Sequence, residues 1–243
     1  MSWVEGPHDV AVAERSELAD RLREVKPPPA ILNRERERRL TDRQREILDK
    51  LGEMFDAGFA DLTMAEIAAR SNCSLRTLYS LAPSRDELVL IVVDRNLWRV
   101  GRSAREAITP MMEPLEALQS YLEAANGAAD GLTEPFARDL DSMPAALRQG
   151  DLHTGYLVEM TRCMLDLAVE RGEIPDVDTA AVARVMARLA VELSRPEVMV
   201  TLQTTPKQAA DSVIGIILLG MRRAGVQSTR SMNDRNCSGP LTA

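Results

Sequence analysis

Aromatic residues, histidine and cysteine are all scarce in this sequence of 243 residues. Only 3% of the residues are aromatic, and the abundant residues, Ala, Leu, Val, Met, Arg and Glu, predict an all-α protein. The cysteines Cys73, Cys163 and Cys237 lie far apart, without the spacing of a zinc site or a disulfide framework. There are two histidines, His8 and His153, no G-x-S-x-G turn and no glycine-rich phosphate loop. We therefore expect neither enzyme activity nor a cofactor.

Long apolar runs are also missing. The longest strongly apolar run, Val213 to Met221, is about half the length that crosses a bilayer. The first residues include Glu5, Asp9 and Glu14 and lack the apolar stretch of a secretory signal. We expect a cytoplasmic protein that does not contact membranes.

The net charge of −7 at first argues against nucleic acid as a partner, because nucleic-acid binders usually carry a basic surface. The charge is unevenly distributed, however. Residues 34–85 contain ten Lys or Arg and nine Asp or Glu, a net charge of +1, which leaves −8 for the rest of the chain. This distribution permits nucleic-acid binding by the N-terminal part.

Residues 1–40 form an N-terminal extension that we expect to be partly flexible. Residues 11–25 can form a short helix, and Pro27, Pro28 and Pro29 must end it and favour a solvated linker. Residues 33–39 are charged with mixed signs, and two interpretations stay open. They form a solvated helical face, or a basic arm that reaches the DNA backbone or minor groove.

Four helices are predicted between residues 41 and 107. Apolar residues recur at helical spacing, and Thr63 and Ser84 are each followed three residues later by Glu, which is a capping box. Gly58 fits the end of the first helix, and Asn72 fits a tight turn because it tolerates left-handed backbone. The expected N-cap residues are Thr41, Thr63, Ser74 and Ser84.

Beyond Pro110, apolar periodicity interrupted by Gly and Pro predicts five more helices. We place an N-terminal domain at residues 41–100 and a helical C-terminal domain at 101–225. Residues 226–243 are polar and aperiodic, so we expect a disordered tail. The five helices are expected at about 114–129, 134–141, 151–171, 178–194 and 206–224.

Two short helices joined by a tight turn, within residues 63–82, are typical of a helix-turn-helix. Five sequence segments over about 45 residues follow one another as in the TetR family: Arg45–Leu48, Met54–Phe59, Leu62–Ala68, Ser74–Tyr79 and Ser84–Leu88. The sequence therefore resembles a TetR-family transcriptional regulator. The rest of the chain resembles the regulatory domain of that family in length and helical character only.

The resemblance implies that the third predicted helix lies in the major groove of DNA. Arg76 would face bases or phosphates there, and Leu75 could touch a thymine methyl. Three positions depart from the family pattern, since Asn72 replaces Gly, Ala82 replaces Phe and Arg85 replaces Lys. The DNA-binding residues that the resemblance implies are Thr63, Ser74, Leu75, Arg76, Thr77, Tyr79, Ser80 and Arg85.

The helices predicted at about 178–194 and 206–224 are strongly apolar, the second of them nearly all round. Burial in a monomer core would account for this pattern. The resemblance instead implies that these helices form a two-fold interface in a homodimer. Such a dimer would bind a palindromic operator in double-stranded DNA.

The resemblance also implies a small-molecule effector in the C-terminal domain, with repression as the usual outcome. We predict ligand contacts at Trp98, Met112, Phe136, Tyr156 and Met160, and an ordinary core role is the alternative for each. We interpret His153 as a satisfied or exposed helical histidine rather than a ligand contact. The alternative function is a helical protein-interaction module of the same fold that no longer binds DNA.

Overall fold

The computed structural model describes residues 17–109, 111–129 and 133–236, and every regular element within these ranges is an α-helix. The predicted all-α class is therefore confirmed. None of the described helices is long and apolar enough to span a membrane. Helix α1 covers residues 17–24. The others are α2 (Arg34–Arg39), α3 (Asp42–Phe55), α4 (Met64–Arg70), α5 (Leu75–Leu81), α6 (Arg85–Glu106), α7 (Pro114–Ala129), α8 (Glu134–Asp141), α9 (Pro144–Glu170), α10 (Thr179–Leu193), α11 (Pro196–Met199) and α12 (Pro206–Asn236).

Side-chain caps fix the starts of helices α3 to α6, as the sequence predicts. Thr41 and Thr63 form complete capping boxes, and Ser74 caps α5. Ser84 caps α6 through its hydroxyl, which accepts a bond from the Glu87 backbone N–H. The return bond from the Ser84 backbone to the Glu87 side chain is not among the hydrogen bonds of the described residues, so this box is half formed.

Two residues with left-handed backbone shape the turns around α4. Gly58 has φ 96° after α3, and Asn72 has φ 49° between α4 and α5. Glycine and asparagine adopt this conformation more readily than other residues do. Both turn residues therefore adopt the conformation that the sequence predicts.

The N-terminal domain encloses an apolar core between α3, α4, α5 and the first half of α6. Ala82, where the resemblance implies Phe, is buried in this core. Phe55 and Phe59 supply two of its aromatic rings, and Phe136 enters it from α8 of the C-terminal domain, with 5.7 Å between the Phe59 and Phe136 ring centroids. The two domains therefore share a packed boundary.

Helices α7, α9, α10 and α12 build the C-terminal domain, in which α9 packs against α7 and α10, and α12 packs against the same two helices. Two predicted boundaries differ from the structure. Helix α9 begins at Pro144 rather than near 151, because proline is tolerated in the first turn of a helix, where its missing N–H would have no partner anyway. Helix α12 continues to Asn236 although a disordered tail was expected from 226; no proline occurs between Pro206 and Pro240 to stop it. Residues 237–243 lie outside the described part.

The N-terminal extension packs against both domains instead of forming the predicted solvated linker. Leu18 and Leu22 of α1 are buried in the C-terminal core, with Val25 against it, and Leu32 is buried in the N-terminal core. Leu18, Leu22 and Val25 are four and three residues apart, so they lie on one helical face. We call residues 17–32 the N-terminal strap. The remainder of the predicted helix, residues 11–16, lies outside the described ranges.

We predict that Leu22→Ala lowers the free energy of unfolding by about 2–4 kcal/mol, because a buried leucine is removed from the core. Arg23→Ala is the matched control, since its side chain is 69% exposed, and it should change stability by less than about 0.5 kcal/mol. Urea unfolding monitored by circular dichroism measures both. Equal stability of the two variants would mean that the strap does not pack on the core.

Candidate nucleic-acid interface and effector cavity

Helix α5 turns one face to the core and the other to solvent. Leu78 and Leu81 are buried, whereas Leu75 and Tyr79 are 43% and 53% exposed. Arg76 is exposed as well, and no described group forms an ion pair or a hydrogen bond with it. On the solvent face of α5, the Arg76 guanidinium therefore lies near the exposed side chains of Leu75 and Tyr79 and is free to bind a partner.

The hydroxyl groups of α5 are held by neighbouring groups. Ser74 Oγ lies 2.8 Å from Thr77 Oγ1 and accepts a bond from the Thr77 backbone N–H. Ser80 Oγ donates to the Thr77 carbonyl and accepts a bond from Gln44 Nε2 of α3 at 3.1 Å. These bonds position the three predicted contact residues before any partner binds.

Thr63 lies exposed at the start of α4, as predicted, and its hydroxyl donates to Glu66 Oε2 at 2.7 Å. The Thr63 backbone N–H donates to the same oxygen at 2.8 Å, and this bond lowers the pKa of Glu66. The carboxylate thus occupies part of the helix N-terminus, which attracts anions. A second anion would have to use the backbone N–H groups of Met64 and Ala65.

The Arg85 side chain contacts the turn between α3 and α4. Its Nε donates to the Leu62 carbonyl at 2.7 Å, and its Nη2 donates to the carbonyls of Phe59 and Ala60. Its Nη1 pairs with Asp86 at 2.9 Å. Four of the five guanidinium N–H groups are thus engaged. Arg85 therefore holds the turn in place, and one of its N–H groups is left for the predicted bond to a phosphate.

Helix α8 holds the same turn from the other side. The buried Asp139 carboxylate accepts a bond from the Phe59 backbone N–H, and the Thr133 hydroxyl donates to a carbonyl at the end of α3. The Phe136 ring packs edge-on against that of Phe59. Phe136 was predicted to contact a ligand, but it packs in the boundary between the domains, because α8 lies against the N-terminal domain.

Helix α2 is charged and has no buried residue. Glu35 pairs with Arg39, and Glu37 pairs with Arg95 of α6. Arg36 donates to the Leu81 carbonyl, at the end of α5, at 3.3 Å. The exposed α2 matches the interpretation of residues 33–39 as a solvated helix, while a role as a DNA-contacting arm stays a prediction.

A cavity of about 370 Å³ lies between α6, α9 and the strap. Trp98 and Tyr156 line it, as predicted, whereas Met112 and Met160 pack in the C-terminal core. His153 bonds to a carboxylate, as interpreted from the sequence, and it also lines the cavity. The other lining residues are Pro28, Gly101, Arg102, Arg105 and Glu106.

Beside the cavity, the carboxylate of Asp94 joins the strap, α6 and α9. Asp94 is 2% exposed, and its Oδ2 accepts a bond from the Ile31 backbone N–H at 2.9 Å. Its Oδ1 accepts from Gln149 Nε2 at 2.6 Å and from His153 Nε2 at 3.1 Å. Gln149 Nε2 also lies 3.4 Å from the Pro29 carbonyl. Nothing in the sequence indicates this role of Asp94, because its partners are 55 to 63 residues away in the chain.

Solved structures with a similar fold include transcriptional regulators. The TetR-family regulator PfmR of Thermus thermophilus superposes with a TM-score of 0.55 and 20% identity, over 71% of this chain and 96% of its own. A TetR regulator of Haloarcula marismortui gives a TM-score of 0.59 and 19% identity, over 75% and 99%. The protein has the TetR fold. A tetR-family regulatory protein from Rhodococcus shares this fold, with a TM-score of 0.58 and 18% identity over 75% and 98%.

No protein-family profile and no curated protein matches the sequence. The identities to the superposed structures are 18% to 20%, so these structures establish the TetR fold of the chain. In terms of that fold, α4 and α5 form the helix-turn-helix.

We predict that Arg85→Gln lowers the free energy of unfolding by about 2 kcal/mol, because the carbonyls of the α3–α4 turn lose charged donors. Arg76→Gln should stay within about 0.5 kcal/mol of the unchanged protein, since Arg76 is exposed and has no described partner. Thermal and urea unfolding distinguish the two. If Arg85→Gln were as stable as Arg76→Gln, the guanidinium would not hold the turn.

Proposed function

We propose that the protein is a dimeric TetR-family regulator that binds double-stranded DNA sequence-specifically through α5 and acts as a ligand-responsive repressor. One observation carries this proposal. On a TetR fold, α5 presents the unengaged Arg76 between the exposed Leu75 and Tyr79. A short helix with such a face suits the major groove, where side chains meet base edges and phosphates.

The exposed groups of α5 each match a kind of duplex contact. The Arg76 guanidinium can bond to two acceptors of a guanine, and Leu75 can contact a thymine methyl group. The Tyr79 hydroxyl can bond to a phosphate. The start of α4 at Thr63 offers backbone N–H groups to a second phosphate. Arg85 supports this surface by holding the turn before α4, and it can add one N–H to a phosphate.

An uncovered apolar face on α12, with two exposed valines on the neighbouring α10, supports the homodimer. On α12, Ile214 and Leu218 are buried within the chain, while Ile216 is 71% exposed. Large exposed apolar patches mark interfaces, and a second copy related by a two-fold axis would cover this one. The exposed apolar residues of the two helices are Val185, Val191, Val213, Ile216 and Leu219.

The cavity against α6 supports control by an effector. Helix α6 carries Trp98 on the cavity wall and Arg85 at its start, in contact with the turn before α4. A ligand that shifts α6 would change the separation of the two α5 helices in a dimer. Operator and effector would then weaken the binding of each other by the same factor. Repression follows where the bound dimer excludes polymerase from its promoter.

Selection of bound duplexes from a random pool tests DNA binding and dimer geometry together. We expect enrichment of a palindrome, with an affinity that falls as salt rises. Arg76→Ala should lower the affinity for the selected site by about 1–3 kcal/mol and relax its base preference. Arg162→Ala, an exposed arginine of α9, should bind like the unchanged protein.

Two outcomes of the duplex selection and one of the binding assay would count against the proposal. A pool without enrichment, or an Arg76→Ala protein that selects the same site with the same affinity, would contradict the proposal. A folded dimer that fails to bind any duplex would favour the helical interaction module.

Ile216→Asp should convert the dimer to a monomer, because it places a charge in the apolar face of α12. Leu147→Asp is the control, since Leu147 is an exposed leucine of α9, 43% exposed, outside that face. Light scattering after size exclusion gives the mass of each variant. A dimeric Ile216→Asp protein, or a monomeric unchanged protein at micromolar concentration, would exclude this interface.

A further inference from the structure

The cavity between α6, α9 and the strap combines aromatic walls with positive charge. Trp98 and Tyr156 supply the aromatic surface, and Pro28 of the strap adds a buried apolar wall. Arg102 and Arg105 project from α6 at the same cavity. A ligand that fills it would therefore meet an aromatic surface and, at the exposed edge of the cavity, two guanidinium groups.

The two guanidinium groups lack ionic partners within the described chain. No described carboxylate lies within 4.0 Å of the nitrogens of Arg102 or Arg105, including that of Glu106, the acidic residue of the lining. Arg105 Nη1 instead donates to the neutral Tyr156 hydroxyl at 3.0 Å. The cavity lining thus has more positive than negative charge, and guanidinium groups bind carboxylates with paired, charge-assisted bonds.

We infer that this cavity binds a small organic anion, an aryl-substituted carboxylate, with its ring against Trp98 and its carboxylate on Arg102 and Arg105. The cavity volume of about 370 Å³ lies at the lower end of the range for small-molecule sites. A ligand with one ring and a short acid chain suits that volume. This inference names the ligand class of the effector site, and its regulatory meaning rests on the proposed function.

The strap gives this site a wall that comes from outside the helical bundle of the C-terminal domain. Pro28 lines the cavity, and the adjacent Pro29 carbonyl accepts a bond from Gln149. Ile31 donates to Asp94, which also holds the cavity residue His153. A ligand in the cavity would therefore contact His153, which bonds to Asp94, and Pro28, which lies between α1 and the strap residues that bond to Gln149 and Asp94. The strap residue after Ile31, Leu32, is buried in the core of the N-terminal domain.

Trp98 gives a direct measurement of binding. The chain has two tryptophans, Trp3 and Trp98, so the Trp3→Phe protein reports only on the cavity. The probe is 3-phenylpropanoate, and the matched neutral compound is 3-phenylpropan-1-ol. We expect a saturable change in Trp98 fluorescence with the carboxylate at millimolar concentration, and at least about tenfold weaker binding of the alcohol.

Three arginine variants and two proline variants in this background locate the site. Arg102→Gln and Arg105→Gln should each weaken binding of the carboxylate by about tenfold, whereas Arg99→Gln, also on α6 but outside the lining, should not change it. Pro28→Ala should weaken binding, and Pro27→Ala should leave it unchanged, because Pro28 is buried at the cavity and Pro27 is exposed.

Three results would overturn the inference: no saturable signal with the carboxylate, equal binding of the alcohol, or equal effects of Arg99→Gln and Arg102→Gln. All of these measurements are made without DNA. Loss of duplex selection with intact carboxylate binding would reject the regulator and keep the site. Duplex selection without carboxylate binding would reject the site and keep the regulator.

Discussion

The buried carboxylate of Asp94 fixes how the strap, α6 and α9 lie against one another. A charge at 2% exposure is costly unless hydrogen bonds replace its water. Here the donors are a backbone N–H of the strap and two side chains of α9, those of Gln149 and His153. Separating any of these elements would leave the carboxylate short of donors. The three elements therefore keep one arrangement, and the cavity lies directly beside it.

Two further contacts hold the turn between α3 and α4, which precedes the helix-turn-helix. Helix α6 runs without interruption from Arg85 in the N-terminal domain to the cavity. Helix α8 binds the α3–α4 turn through Asp139 and Phe136, and Arg85 binds the carbonyls of the same turn. The turn is thus held by both domains. A ligand that altered the cavity would act on a connected set of packed and hydrogen-bonded groups, and such networks can carry coupling between distant sites.

The sequence predicts best what depends on neighbours in the chain. The caps at Thr41, Thr63 and Ser74 and the left-handed Asn72 all occur as expected, because each depends on residues within one turn of helix. The outward face of α5 follows from the same local periodicity. The TetR fold could be predicted from the spacing of these local signals.

Contacts between distant segments could not be predicted in the same way. Nothing near Phe136 indicates that it packs against Phe59, and the charge of Arg85 suggested a phosphate contact rather than three backbone carbonyls. The strap looked like a linker because its apolar stripe is short and three prolines follow. Its burial depends on core surfaces formed by residues more than a hundred positions later, such as Met164.

The central claim is that two α5 helices, held rigidly in one dimer, bind one duplex. Measuring the affinity for the selected palindrome after insertion of about five base pairs between its half-sites, half a helical turn, tests it most directly. The insertion turns one half-site to the opposite side of the duplex. We predict loss of specific binding to the level of random DNA. Unchanged affinity for the lengthened site would contradict the account.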